Sequence, residues 1–400
     1  MVDLISSGGR QAATVRRLTK LAGVSTATFY SLFDGTDECL VSAYASQMDR
    51  VRERIAATRT SFSCSRWQDE LVLRALLHAL LEDPKVARLI LVDVFDGGPA
   101  AIGSIRTQET LLEAELREAL DRRERQVSPL AVAWVVAGLL HGARQLLAAA
   151  PRLISPDTTT TLVRWAQTCL AERDPGCHVP TSSHAAMLPT ELRTLVRRPP
   201  REGETDLFVN AVLKLSCGDG YWKLSVARAS RMAGIPATRF KRYFGNLDEA
   251  YLLAVDRTAR GLFSGFSSRT PDRVRSWRQA SFEQFASLSA RLASTPKVAG
   301  LVFSGILAPG ADGLTRREAL IDELAATWRS SVPARERPSA LFTKASMASL
   351  WSAFARATEL GRTEVLAEQA ETNAHFFLAP MRGPRIGEPS AGRIAVSAGA

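Results

Sequence analysis

Two short stretches of the sequence carry hydroxyl and cationic side chains at the spacing of one exposed helix face. "STATFYS" (Ser25–Ser31) is small and polar, and "ATRFKR" (Ala237–Arg242) is polar and basic. Hydroxyl and basic side chains are the groups that bind nucleic-acid phosphates and the edges of bases. A surface made of these side chains would suit contact with a nucleic acid.

The residues around the first stretch predict two short helices joined by a glycine turn. Thr14 and Ser25 stand where helix N-cap residues are favoured, one before each helix. Gly23 lies between the helices and suits a tight turn that other residues resist. The residues expected to pack inward from these two helices are Val15, Leu18, Ala22, Phe29 and Phe33.

The second stretch has the same scaffold. Ser225 is the expected N-cap of its first helix, and Gly234 is the expected turn residue. Pro236 stands where a proline in the first turn of the next helix is tolerated. The residues expected to pack inward are Val226, Ala229, Ala233, Phe240 and Phe244.

Two short helices around a glycine turn predict the helix-turn-helix layout, whose second helix enters the DNA major groove. Between Tyr221 and Leu247 there are six basic residues and no acid, whereas Arg10–Thr36 has four basic residues and one acid. Both windows suit phosphate contact, and the second should give the larger salt-sensitive share. The candidate DNA-binding residues are Thr14, Ser25, Thr26, Thr28, Tyr30, Ser225, Thr238, Arg239, Lys241 and Arg242.

These two hairpins belong to a much longer internal repeat. A shift of 211 positions places Phe29 on Phe240 without a gap, and with a drift of about one residue "DPKVARLIL" aligns with "TPKVAGLVF". Apolar residues recur with helical spacing throughout both copies, so we predict an all-α fold with two tandem units. The predicted segments are 1–45 (first helix-turn-helix), 46–172 (first helical regulatory domain), 173–204 (linker), 205–256 (second helix-turn-helix), 257–380 (second regulatory domain) and 381–400 (disordered tail).

The segment "TVRRLTKLAGVSTATFYSLFDGTDECLVSAY" resembles the DNA-binding region of the TetR family of bacterial transcriptional regulators. "SVARASRMAGIPATRFKRYFGNLDEAYLLAV" resembles the same region more distantly, and the likeness extends over most of both halves. The resemblance implies a helix-turn-helix domain followed by a larger helical domain that binds a small-molecule effector and dimerises. It also implies repression of a target until the effector releases the protein from its operator.

The sequence departs from the family pattern at three places. The family has a full helix before the helix-turn-helix; Asp206–Trp222 supplies it in the second copy, but most of it is missing from the first. A basic residue often begins the next helix in the family, and Thr36 and Leu247 stand there instead. Tyr30 matches a tyrosine that contacts phosphate in the family, whereas the second copy has Lys241.

The family dimerises through its last two helices, so the resemblance points to an intrachain pseudo-dimer, with an ordinary homodimer as the alternative. The helices that would pair are Pro129–Ala150 with Pro156–Arg173, and Arg337–Leu360 with Thr363–Leu378. Small residues on these helices would allow close approach of their backbones.

Composition narrows the remaining classes. The net charge of +10 favours an acidic partner such as DNA, and five scattered cysteines without a CxxC pair favour the cytoplasm. The apolar run Pro129–Ala150 is interrupted by polar residues, which predicts a buried helix and no membrane span. Cys177, His178 and His184 lack a clear fourth ligand, so we predict no metal site.

No catalytic or cofactor motif such as GxSxG, HExxH, Walker A or GxGxxG is present, so we predict neither an enzyme nor a cofactor. The sequence therefore predicts a ligand-responsive repressor that binds a double-stranded operator. The alternative is a protein–protein or ligand-sensing helical module in which one or both DNA-binding units have degenerated.

Overall fold

The computed structural model describes residues 1–62, 68–121, 126–149, 156–172, 203–264 and 276–381. Within these ranges all regular secondary structure is helical, so the predicted all-α class is confirmed. Nearly all of the predicted linker, the tail beyond Met381, and Cys177, His178 and His184 lie outside the described residues.

The first half of the chain contains nine described helices. Two of them begin at clear cap residues. Asp83 accepts backbone N–H bonds at the start of one helix, and Ser128 caps another that opens on Pro129. The helices are α1 (Val2–Gly8), α2 (Val15–Ala22), α3 (Thr26–Leu32), α4 (Thr36–Phe62), α5 (Gln68–Leu81), α6 (Pro84–Leu91), α7 (Gly98–Leu120), α8 (Pro129–Ala148) and α9 (Pro156–Ala171).

The second half repeats this order. The helices are α10 (Glu204–Asp219), α11 (Val226–Ala233), α12 (Ala237–Tyr243), α13 (Leu247–Phe263), α14 (Trp277–Ser294), α15 (Pro296–Phe303), α16 (Ala311–Ser331), α17 (Ala340–Glu359), α18 (Val365–Glu368) and α19 (Ala370–Leu378). Helices α2 and α3 have the same bounds as α11 and α12 after a shift of 211 residues. The predicted boundaries at residues 45 and 256 lie inside the continuous helices α4 and α13, which run from each hairpin into its bundle.

The predicted final helix, Thr363–Leu378, is wrong as a single element. Gln369 has φ −90° and ψ 4°, and it separates α18 from α19. Both pieces pack against α14, which one straight helix from Thr363 would not allow as fully. The neighbouring predicted helix, Arg337–Leu360, begins later than expected, at Ala340.

Helices α8 and α17 pack against each other at the centre of the molecule and join the two halves. The Trp165 indole N–H on α9 donates to Ser346 Oγ on α17 at 3.0 Å. Ser349 Oγ in turn donates to the backbone carbonyl of Trp134 on α8 at 2.6 Å. The first bond satisfies a buried indole N–H. Ser349 Oγ also lies 3.0 Å from the Ala345 carbonyl of its own helix, so its bond to Trp134 adds a link across the junction.

Gly138 allows this close packing. The ring of Trp165 lies directly over Gly138, and a Cβ atom built on the glycine would be only 2.1 Å from it. No other residue fits at this point of α8 without moving the indole. The indole position in turn determines where α17 meets the first half, because its N–H binds Ser346.

Ion pairs surround this apolar junction and also join the halves. Arg144 Nε lies 3.1 Å from Glu318 Oε1, and the buried His141 contacts the same carboxylate. Burial alone would raise the pKa of Glu318, but its contact with His141 and the positive charges of Arg144 and Arg317 lower it well below its usual range. Glu318 is therefore ionised at neutral pH.

Helix α8 is the one described helix that is long and apolar enough by itself to cross a membrane. However, 67% of its most apolar window is buried against other helices of the protein. This burial matches the prediction of a core helix, since apolar surface already covered by protein is not available to lipid.

Aromatic side chains fill the bundle of the second half. Phe303 lies 4.8 Å from the ring centre of Trp351 and 5.1 Å from that of Phe354. Phe377 lies 4.5 Å from Phe285 in a tilted arrangement and 4.9 Å from Trp328 in an edge-to-face one. Aromatic contacts at these distances are favourable and hold these rings in the core.

Gly138→Ala should destabilise the protein although alanine is the better helix former. The clash with Trp165 is an overpacking of the core, which costs about 1–3 kcal/mol. Gly103→Ala is the matched control, because Gly103 is exposed on α7 with nothing within 4 Å of a built Cβ, and this change should stabilise by about 0.5–1 kcal/mol. Urea unfolding followed by circular dichroism measures both. Equal effects of the two substitutions would contradict the described junction.

Candidate nucleic-acid interface

Helices α2 and α3 form the first hairpin, with the local signals that the sequence predicted. Thr14 Oγ1 accepts from the backbone N–H of Arg17, and Ser25 Oγ accepts from that of Thr28 at 3.0 Å. Gly23 has φ 68° and ψ 28°, in the left-handed region that favours glycine. The backbone turns there and aims α3 away from α2.

Helices α11 and α12 form the second hairpin with the same geometry. Ser225 Oγ accepts from the N–H of Arg228 at 3.2 Å, and Gly234 has φ 70° and ψ 25°. Pro236 occupies the N-cap of α12 rather than its first turn, so the predicted helix start was one residue too early. Proline has no side-chain acceptor, and Pro236 accordingly makes no side-chain cap bond.

The predicted contact residues form the outer surfaces of the two hairpins. Nine of the ten are exposed, and Ser225 is half-buried. Thr14, Ser25 and Ser225 use their hydroxyls as helix caps, which occupies one lone pair of each. The predicted contact residues that are exposed on the second helix of each hairpin are Thr26, Thr28 and Tyr30 on α3, and Thr238, Arg239, Lys241 and Arg242 on α12.

Two of the six basic residues of the second hairpin are already paired with carboxylates. Arg228 binds Asp219, and Arg239 binds Glu204. Of the residues that the structure describes, no carboxylate lies within ion-pair distance of the other four basic side chains, which are Lys223, Arg231, Lys241 and Arg242. These four exposed cations remain for phosphate contact.

The two hairpins differ less in their number of unpaired basic side chains than their compositions suggested. Arg10 is bound to Asp37 and donates to Thr36 Oγ1 at 2.8 Å. Arg16, Arg17 and Lys20 are exposed and have no ion-pair partner among the described residues. The first hairpin therefore has three free cations, and the second has four.

Arg10 also brings a positive charge to the start of α4, where the sequence has Thr36 and no basic residue. Thr36 stands at the start of α4, where the family often has a basic residue, but the Arg10 guanidinium binds its hydroxyl. A positive charge is thus present at this helix terminus, from a residue 26 positions earlier. Sequence reasoning missed it because only the fold brings the two residues together.

Glu204 was also missed, and it contacts α12. Its carboxylate pairs with Arg239 and accepts a hydrogen bond from the Tyr243 hydroxyl at 2.7 Å. That hydrogen bond and the charge of Arg239 lower the pKa of Glu204 below its ordinary value. Glu204 is therefore a negative charge beside the face of α12 that carries the cations.

Phe208 on α10 fixes the second hairpin to its bundle. Its ring lies 5.3 Å from Phe240 and 6.3 Å from Phe244, and it is fully buried. Tyr243 packs against the same ring at 6.4 Å. The wall that α10 provides also buries Ile235, which is only 8% exposed.

Among the described residues, no helix covers the first hairpin as α10 covers the second. Val24, the counterpart of Ile235, is 42% exposed, and Leu21 and Leu32 are more than half exposed. Ala22 was predicted to pack inward but is exposed, because no described helix lies against this side of α2. Phe33 is half-buried rather than buried for the same reason.

Helix α1 supports the first hairpin from another side. Its seven residues pack on α6, where Ile5 forms a small separate core with Leu40 and Leu89. After the shift of 211, α1 corresponds to the last part of α10.

Among the described residues there is no group of three or more His, Cys, Asp or Glu side chains arranged to hold a metal ion. Their polar clusters are ion pairs between helices, such as Lys344 with Asp322 and Arg356 with Glu113.

Ile235→Ala and Val24→Ala test the difference between the two hairpins at equivalent positions. The first change removes buried surface and should destabilise its hairpin by about 2 kcal/mol or more, whereas the second should cost well under about 1 kcal/mol. Hydrogen exchange of peptides covering 226–243 and 15–32 measures each hairpin separately. Similar increases in exchange would show that the first hairpin is covered in solution.

Two comparisons with known proteins found no match for this chain. No family model matches the sequence. A search of curated proteins likewise finds no significant match. Any function assigned to the chain therefore depends on the hairpins themselves and on the charges that they carry.

Proposed function

We propose that the chain is a sequence-specific DNA-binding transcriptional regulator with two non-identical helix-turn-helix units. The observation that carries this proposal is the outer face of the second hairpin, where Lys241 and Arg242 are exposed and without carboxylate partners among the described residues. A seven-residue helix held by a buried aromatic pair, with cations outward, has the form of an element that enters the major groove.

The two kinds of side chain would have different roles. Lys223, Arg231, Lys241 and Arg242 would neutralise phosphates, and this contribution falls as salt rises. Thr238 and Arg239 lie near the start of α12, the part of a reading helix that reaches base edges. On the first hairpin Ala27 and Thr28 take the equivalent places, with Thr26 one residue before them, and Tyr30 takes the place of Lys241.

We further propose that the two halves are TetR-like tandem units that form an intrachain pseudo-dimer. The packing of α8 on α17 supports this arrangement, because these two helices correspond after the shift of 211. The ion pair of Arg144 on α8 with Glu318 on α16 also links the two halves. Since α3 and α12 differ in sequence, the operator would be asymmetric. By the same resemblance, a small effector would release the protein from DNA and relieve repression.

A second candidate function is favoured by one observation on the first hairpin. Leu21 and Leu32 are 61% and 65% exposed, which is unusual for large apolar side chains beside a DNA-binding face. A first unit that had lost DNA binding would use this surface to bind protein. The chain would then read DNA through α12 alone.

Replacing Lys241 and Arg242 together with alanine should weaken binding to a duplex selected from a random library. Each lost phosphate contact should reduce the slope of log K against log salt by about 0.9, so the double variant should lose nearly 2. The control, Arg50→Ala with Arg335→Ala, removes the same charge from exposed sites away from both hairpins. Fluorescence anisotropy at several salt concentrations gives both slopes. If the double variant and its control give the same slope, α12 does not contact DNA.

Glu204→Gln should strengthen DNA binding and steepen its salt dependence. Glutamine can still accept the Tyr243 hydrogen bond, but it removes a negative charge and frees Arg239 to contact phosphate. The matched control is Asp206→Asn, because Asp206 lies in the same helical turn and pairs with Arg257 on α13. Competition between the two variants for one labelled duplex measures the difference. Weaker binding by Glu204→Gln would mean that Glu204 positions Arg239 for DNA instead of competing for it.

A further inference from the structure

A crevice lies between the first half and the second hairpin. Its walls are α7 of the first half, the end of α10 with the turn at Tyr221–Lys223, helix α15, and the end of α17. It offers about 730 Å³ of space, within the range of small-molecule sites. Both halves are needed to form it, so it has no counterpart inside either bundle.

Glycines keep this crevice open from both sides. Gly103 on α7 and Gly300 on α15 line it, and a Cβ atom built on either would meet nothing within 4 Å. Neither glycine has a positive φ, so their backbone conformations do not require glycine. The absence of side chains at these two positions leaves the space open, and helix geometry alone does not explain it.

Aromatic rings form the wall next to the second hairpin. Tyr221 and Tyr251 lie 4.8 Å apart, and Trp222 is 54% exposed beside them. The Tyr221 hydroxyl donates to Asp248 at 2.6 Å, and that of Tyr251 donates to the Gly305 carbonyl at 2.8 Å. Since both phenol protons are used within the protein, the rings offer the crevice mainly apolar surface.

Lys297 provides the free charge of the crevice. The two arginines that line it are already bound, Arg106 to Glu359 at 2.8 Å and Arg356 to Glu113 at 3.0 Å. Lys297 is exposed and has no ion-pair partner among the residues that the structure describes. A ligand with one negative charge would find a cation there without displacing an existing pair.

We propose that this crevice binds a flat aromatic molecule that carries one anionic group. Its ring would lie against Trp222 and the two tyrosines, and its anion would pair with Lys297. The site itself does not depend on the proposed DNA function. Any effect on DNA would rest on that function, because Trp222 lies three residues before Ser225, the cap of α11.

Isothermal titration with 2-naphthoate and with neutral 2-naphthalenemethanol tests the site in the absence of DNA. The full chain should bind 2-naphthoate. Gly103→Leu and Gly300→Leu fill the crevice from opposite walls, and each should weaken binding by about tenfold or more. The control is Gly218→Leu, which adds the same side chain at an open helical position outside the crevice and should leave binding unchanged.

Lys297→Met tests the contribution of the Lys297 charge to binding separately from that of the aromatic wall. It should weaken 2-naphthoate by about threefold or more and leave 2-naphthalenemethanol unchanged. Thermal melts of each variant by circular dichroism identify any loss of folding, and the two leucine variants act from different helices. Absence of 2-naphthoate binding up to about 1 mM, or equal binding by the leucine variants and the control, would overturn the proposal. None of these measurements involves DNA, so they are independent of the regulator assignment.

Discussion

The contact of the Trp165 indole with Gly138 and Ser346 determines how the two halves of the molecule meet. The ring covers a glycine that cannot be replaced without a clash, and its N–H reaches across to α17. Each hairpin is continuous with its own bundle through α4 or α13. The relative positions of the two hairpins therefore depend on this junction, and so does the crevice between α7 and the second hairpin.

The charged groups around the junction have a different role from its apolar centre. Burying ionised groups such as Glu318 costs desolvation energy, which well-placed partners offset only in part. Their benefit is orientation, since Arg144 and His141 of the first half and Glu318 of the second pair in one arrangement. The apolar contacts supply most of the stability, and the ion pairs favour one relative position of the halves.

Local features of the hairpins were predictable from sequence, whereas their surroundings were not. Gly23, Gly234 and the serine and threonine caps depend on residues within one helical turn, and the structure has them as expected. The exposure of Ala22 depends on which helices lie against α2, and helical periodicity does not show that. The pairing of Arg239 with Glu204 joins residues 35 positions apart, and no local pattern marks it. Free charge on the two hairpins could be counted only after such pairs were known.

We propose that one chain carries two DNA-reading elements that differ. A hydroxyl-radical footprint of the chain on its selected duplex, at one chain per duplex, tests this directly. We expect two protected stretches about one helical turn, roughly 10 base pairs, apart, with different base sequences beneath them. A single protected stretch, or two stretches that appear only when a second chain binds, would contradict it.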